Sequence, residues 1–205
     1  MKSKEEYSDD LTDIRSMMQR STRFLSLAGW SGVLAGVYAL SGAWLAYKNG
    51  LFKHQDDVVL VQAAANEDMN LLLIGLAVLF LAVATAVVMA SRKSAQRGEK
   101  LWNQAARRLA INMVIPLATG GVFCAILYMQ AIYWLILPSM LIFYGLTLLN
   151  ASKFTFEEIR YLGIIEIFLG LAAAWFADLG LLLWAIGFGI MHIIYGFYLH
   201  QRYEK

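Results

Sequence analysis

The chain alternates between two textures. Nearly unbroken apolar blocks, most of them close to 20 positions long, are separated by shorter segments that hold most of the charge. At 1.5 Å per residue, about 20 residues of helix cross the roughly 30 Å of hydrocarbon in a bilayer. Six blocks fit: Phe24–Tyr47, Leu71–Ser91, Leu109–Met129, Ile132–Asn150, Tyr161–Phe176 and Gly180–Leu199. None alternates apolar and polar residues as a barrel strand would. In lipid every backbone N–H and C=O must be satisfied within the segment, so each block is predicted to be a helix. The expected fold is all-α, a polytopic membrane protein with six transmembrane helices. The joints "YMQAIY" (spans three and four) and "FADLG" (spans five and six) are short. Their flanking spans must therefore be antiparallel neighbours, and three antiparallel hairpins are expected.

Composition agrees with the pattern. Of 205 residues 60% are hydrophobic and 16% charged, against about 45 to 50% apolar in soluble domains. Charge then sets the orientation. Lys2, Lys4, Arg15, Arg20 and Arg23 precede span one; Arg92, Lys93, Arg97, Lys100, Arg107 and Arg108 lie between spans two and three; Lys153 and Arg160 follow span four; Arg202 and Lys205 follow span six. Only Lys48 and Lys53 lie on the opposite face. By the positive-inside rule the basic face is cytoplasmic, so both termini are expected inside. The expected partners are the lipid bilayer and, at the basic rim, anionic headgroups. A net charge of +2 gives no reason to expect nucleic acid.

The chain divides into a cytoplasmic amphipathic N-terminal helix (1–23), a transmembrane domain (24–199) with an external loop (48–70), and a cytoplasmic tail (200–205). The helix is predicted because Ser8, Asp9 and Asp10 are good starters and Leu11, Ile14, Met17 and Met18 share one face. No cleavable leader is expected, because a charged segment precedes span one; that span would act as the targeting signal itself. Cys124 is the single cysteine, so no intramolecular disulfide is expected. Paired Tyr-Gly positions in "MLIFYGL" and "MHIIYGF" at the ends of spans four and six hint at a hairpin repeat. Small-residue ridges at Ala28, Gly32, Gly36 and at Ala82, Ala86, Ala90 suit either internal packing or a homo-oligomer.

Two ionisable residues stand out inside the apolar blocks. Glu166 in span five is flanked by Gly163 and Gly170, and His192 in span six by Gly189 and Gly196. Residues three and four apart stack on a helix, and glycines let a neighbour approach closely. Both side chains are therefore expected to face a tight protein interior. Glu166 lies six residues beyond Arg160, about 9 Å deep, and His192 eight before His200, about 12 Å deep from the same side. A Glu166–His192 couple across a glycine-lined seam between spans five and six is expected, with Tyr144, Tyr195 and Asn112 as further partners. Such a cluster can lock helix register, or it can handle protons or a ligand, since intramembrane ionisable groups mark relays and histidine titrates near neutrality. Pro116 and Pro138, the only prolines, are the expected points of helix interruption.

In span one, "GWSGVLAG" contains Gly29, Trp30, Ser31 and Gly32 as G-x-S-G, with Gly36 beyond. This resembles the nucleophile segment of rhomboid intramembrane serine proteases, six-span proteins with a histidine on the last helix. The resemblance implies Ser31 as nucleophile and His192 as base. It covers eight residues; in rhomboids the serine sits on the fourth span, and this chain lacks their helix-two histidine and asparagine. "FEEIRYLG" resembles the Glu-Glu-x-x-x-Arg of prenyl-protease-like metalloproteases, but the spacing is too short. No helix carries the paired histidines a metal needs, so neither metal nor cofactor is expected.

As a whole the chain is similar to small six-span inner-membrane proteins of bacteria, and loosely to the hairpin-repeat stress-associated HdeD type. That resemblance implies a bacterial inner (plasma) membrane. The function expected is non-enzymatic: an accessory or sensory component, or a small proton-linked transporter, around a polar cluster in the cytoplasmic half. The alternative is a rhomboid-like hydrolase using Ser31 and His192.

Overall fold

Apolar blocks without access to water have one way to satisfy their backbone, and in the described residues these blocks take it. The computed structural model describes residues 29–49, 64–98 and 100–203. The expected helix at 1–23, the start of span one, most of the outer loop and the last two residues of the tail fall outside the described residues. Among the described residues there are helices and turns but no strand.

Helix α1 is Gly29–Lys48, α2 Ala64–Gln96, α3 Gln104–Met129 and α5 Ile159–Trp175. Two helices are composite. A 3-10 turn at Tyr133–Leu135 leads into Ile136–Ala151, together called α4. The last, α6, comprises a 3-10 turn at Ala177–Leu179, α-helix at Gly180–Trp184, a π-helical segment at Ala185–Met191 and α-helix at His192–Tyr203. Among the described residues, four helices are long and apolar enough to cross a membrane: α2 from Leu72 onward, α3, α4 and α6.

The six predicted blocks map onto the six helices, with shifted ends. Helix α2 begins at Ala64, so the final part of the expected external loop is helical. At the α3–α4 joint, Ala131 takes φ of 57° and Ile132 N–H donates to the Leu127 carbonyl at 2.9 Å. That is a Schellman ending with alanine where glycine is usual. At the start of α3, the Asn103 side chain accepts from Ala106 N–H at 2.8 Å, satisfying one of the open donors.

The prolines do not interrupt helices. Helix α3 runs through Pro116, and Pro138 lies in the first turn after Ile136, where a missing N–H is no loss. The irregular turn is instead the π-helical segment of α6, a position the sequence analysis did not single out.

Packing also differs from the expected seam. Helix α1 lies between α2 and α6, and α4 lies between α3 and α5; the first half of α6 meets α5 and α4. The closest backbone approaches join helices of different expected hairpins. A methyl group at Gly145 of α4 would lie 2.6 Å from the Gly163 carbonyl oxygen of α5, and one at Gly170 2.9 Å from the Pro138 carbonyl. Likewise a methyl at Gly36 of α1 would lie 2.5 Å from the Gly189 carbonyl of α6, and one at Gly196 2.6 Å from that of Gly29. Glycines beside Glu166 and His192 thus seat α5 on α4 and α6 on α1. They do not line a seam between α5 and α6. Three residues along a helix turn the side chain by about 60° from the starting direction, so Glu166 can face a third helix while Gly163 and Gly170 face α4.

Candidate functional site

Helix α5 presents Glu166 toward the π-helical segment of α6, where Gly187 has no side chain. A Cβ there would collide with Glu166 Oε2 and with the side chain of Leu141. The carboxyl group thus occupies the room that glycine leaves. It is 0% exposed, and neither carboxyl oxygen has a hydrogen-bond partner among the described residues. His192 Nδ1 lies 3.5 Å from Oε1. That is an electrostatic contact, beyond the reach of an N–H···O bond.

The imidazole is held from two other directions. Nδ1 lies 2.9 Å from the Gly187 carbonyl oxygen, five residues back along α6. A carbonyl can only accept, so Nδ1 carries the hydrogen; in the neutral ring Nε2 is then an acceptor. The Tyr144 hydroxyl of α4 lies 2.8 Å from Nε2 and donates to it. Three helices converge on one ring: Tyr144 from α4, Glu166 from α5, and His192 with Gly187 from α6.

Aromatic rings close one side. Along α6, Trp184 and Phe188 lie 5.0 Å apart between centroids, Phe188 stacks on His192 at 5.8 Å, and Tyr144 packs on Phe188 at 4.8 Å. Leu141, fully buried, completes that wall. On the other side lies a buried apolar group including Leu148, Ile159, Leu162 and Leu199, with Tyr144 and Tyr195 packed against it.

The expected cluster is therefore assembled in part. Glu166, His192 and Tyr144 come together. Tyr195 packs against the same apolar group as Tyr144, with its hydroxyl buried and unpartnered among the described residues. Asn112 does not join: its side-chain amide donates to the Arg108 carbonyl one turn back, and its own carbonyl accepts from Asn150. A polar side chain near a helix end finds a backbone partner locally before it reaches a neighbouring helix. Ser31 is buried on α1, but the bonds of His192 run to Tyr144 and Gly187, leaving neither ring nitrogen for a serine. No group of three or more His, Cys, Asp or Glu side chains suited to a metal occurs among the described residues.

Gly187 was missed by sequence reasoning, which weighed Gly189 and Gly196 instead. The signal was present as "GFG" inside a membrane block, where two glycines so close weaken the α-helical ladder. The Gly187 carbonyl is the one that His192 satisfies, and π-helical turns recur at functional sites. Compared with protein-family models, with curated proteins and with solved structures, the chain matches none.

Proposed function

We propose that this chain is a non-enzymatic integral protein of a bacterial inner membrane. It crosses the bilayer six times as three hairpins with both termini cytoplasmic, and serves as a small proton-linked transporter or sensory component. The four long apolar helices support the membrane setting, and the one-sided distribution of lysine and arginine supports the orientation.

One observation carries the proton-handling role. Glu166 is wholly buried, neither oxygen is hydrogen-bonded among the described residues, and it faces a histidine ring already engaged on both nitrogens. A register clasp would satisfy its polar atoms, because an orphaned buried group costs about 1 to 3 kcal/mol. A carboxyl kept at that cost beside an imidazole suits a group whose protonation changes during function. The serine-hydrolase alternative has no comparable support, since the required base is occupied.

Reconstitution in liposomes enclosing a pH-sensitive dye tests the reading. Glu166→Gln is expected to abolish proton movement or the pH response of a bound partner, while the protein stays folded. Unchanged behaviour in that variant would remove the role.

A further inference from the structure

A second polar cluster lies at the rim, at the same ends of α5 and α6. The Tyr203 hydroxyl donates to Glu158 Oε1 at 2.7 Å, and Arg202 Nε lies 3.4 Å from the same oxygen. Arg202 also donates to the Tyr198 hydroxyl, and the Tyr203 ring packs on Phe156 with centroids 4.4 Å apart. Glu158 immediately precedes α5, and Tyr203 ends the described part of α6.

Two contacts therefore set the register of these helices: Glu166 with His192 at the buried end, and Glu158 with Tyr203 at the rim. Between them, Leu162 stands four residues from each glutamate on α5. Tyr195 and Leu199 continue the line of His192 toward Tyr203 on α6. The backbones approach along the first half of α6 and diverge toward the rim, so that side chains fill a wedge there. Leu162 and Leu199, both buried, occupy its middle.

One polar group lies inside this wedge. The Tyr195 hydroxyl is buried and has no partner among the described residues, and its side chain packs, with that of Tyr144, against the apolar group that contains Leu162 and Leu199. The opposite direction is closed by the packed rings of Trp184 and Phe188 and by Leu141. The one buried, unpartnered polar atom on that side, Trp184 Nε1, bears only a hydrogen to donate and cannot pass a proton on. A phenol can both accept and donate.

We propose that the wedge between α5 and α6 is the proton access route of the Glu166–His192 cluster. Tyr195 is its relay hydroxyl, Leu162 and Leu199 form its plug, and Glu158 with Tyr203 and Arg202 forms the latch at the rim. The proposal rests on the proton-handling reading above and gives it a path and a side. When the latch parts and water passes the plug, the Tyr195 oxygen accepts a proton from a hydronium ion in that water, which is left as neutral water, and releases its own hydrogen through a bridging water to the Tyr144 oxygen. Tyr144 in turn releases the hydrogen that it shares with His192 Nε2. One proton moves from hydronium to the ring, both hydroxyls are restored, and the ring gains a positive charge 3.5 Å from Glu166 Oε1. The titratable groups facing the ring are Glu166 from α5 and Tyr144 from α4; α1 meets this stretch of α6 through Gly32 and Gly36.

The test uses the full chain in liposomes with 15N-labelled histidine rings. Solid-state NMR follows how fast the His192 ring hydrogen exchanges after transfer to D2O, the signal being identified by its loss in His192→Gln. Tyr195→Phe keeps the ring and breaks no hydrogen bond seen here, so it folds as the parent does; exchange is expected to slow about tenfold. Leu199→Ala and, as a gentler opening, Glu158→Gln are expected to speed it. Equal rates in the parent, Tyr195→Phe and Glu158→Gln overturn the route. Should Glu166→Gln alter proton movement while these rates stay equal, only the route fails. If Glu166→Gln changes nothing, the proton-handling reading fails and the route with it.

Discussion

Helices α1, α4, α5 and α6 form one kind of region, and α2 with α3 another. In the first, glycine meets backbone across α4–α5 and α1–α6, and the buried glutamate and histidine lie there. In the second, Gly75 and Gly121 have nothing within 4 Å, and Leu76, Phe80, Val114 and Val122 are exposed. Yet α2 is the most apolar of the four long helices, and in its most apolar 18-residue stretch no residue is buried, against 39% for the corresponding stretch of α4. The difference teaches that apolarity does not select the interior of a protein that lies in lipid. Acyl chains solvate leucine and valine as well as another helix does, so close packing goes to helices with small residues and to those whose polar groups need partners.

The comparison can be broken or sharpened in four ways. The largest effect is expected at a backbone contact. Gly145→Val puts a side chain where the Gly163 carbonyl lies 2.6 Å away, and overpacking of this kind costs about 1 to 3 kcal/mol, more where a helix must move. Thermal unfolding in detergent would show it; a variant as stable as the parent would mean that α4 and α5 do not touch as described. Next, Tyr144→Phe removes the donor to His192 Nε2 and is expected to cost about 1 to 2 kcal/mol, the penalty of an orphaned buried acceptor. A shift of the His192 ring nitrogens in NMR should accompany the loss, and no shift would place the tyrosine elsewhere.

Smaller effects belong to the open region. Ala131→Gly, at a φ of 57°, is expected to stabilise the α3–α4 turn by up to about 1 kcal/mol, because glycine carries no Cβ to strain there. A loss of stability would contradict the left-handed turn. The smallest effect is expected for Gly121→Ala, which meets nothing within 4 Å and should change stability by less than about 0.5 kcal/mol. A marked loss would sharpen the contrast in an unexpected direction, by showing that this face of α3 is covered by a second copy of the chain.

Much of the candidate site could be read from the sequence, because an acid and an imidazole inside hydrocarbon are rare and expensive. Matching helical depths then paired Glu166 with His192 before any coordinates. Asn112 was misplaced because depth says nothing about which way a side chain faces, and the amide had a carbonyl within reach on its own helix. The glycine seam was misassigned for a related reason. Spacing at three and four marks a broad stripe, and that stripe can serve two neighbours at once, as Gly163 and Glu166 do.

The order of apolar and charged segments alone determined that this chain forms helices, about where they begin, and that its two buried ionisable groups lie at one level. Those properties depend on the backbone's need for hydrogen bonds in lipid and on a fixed rise per residue, both local. Which helix meets which, the π-helical turn that makes room for a carboxyl beside Gly187, and the choice of Tyr144 over Asn112 were decided only by tertiary packing. They depend on the rotation of each helix about its axis, which is set by steric fit among several helices together.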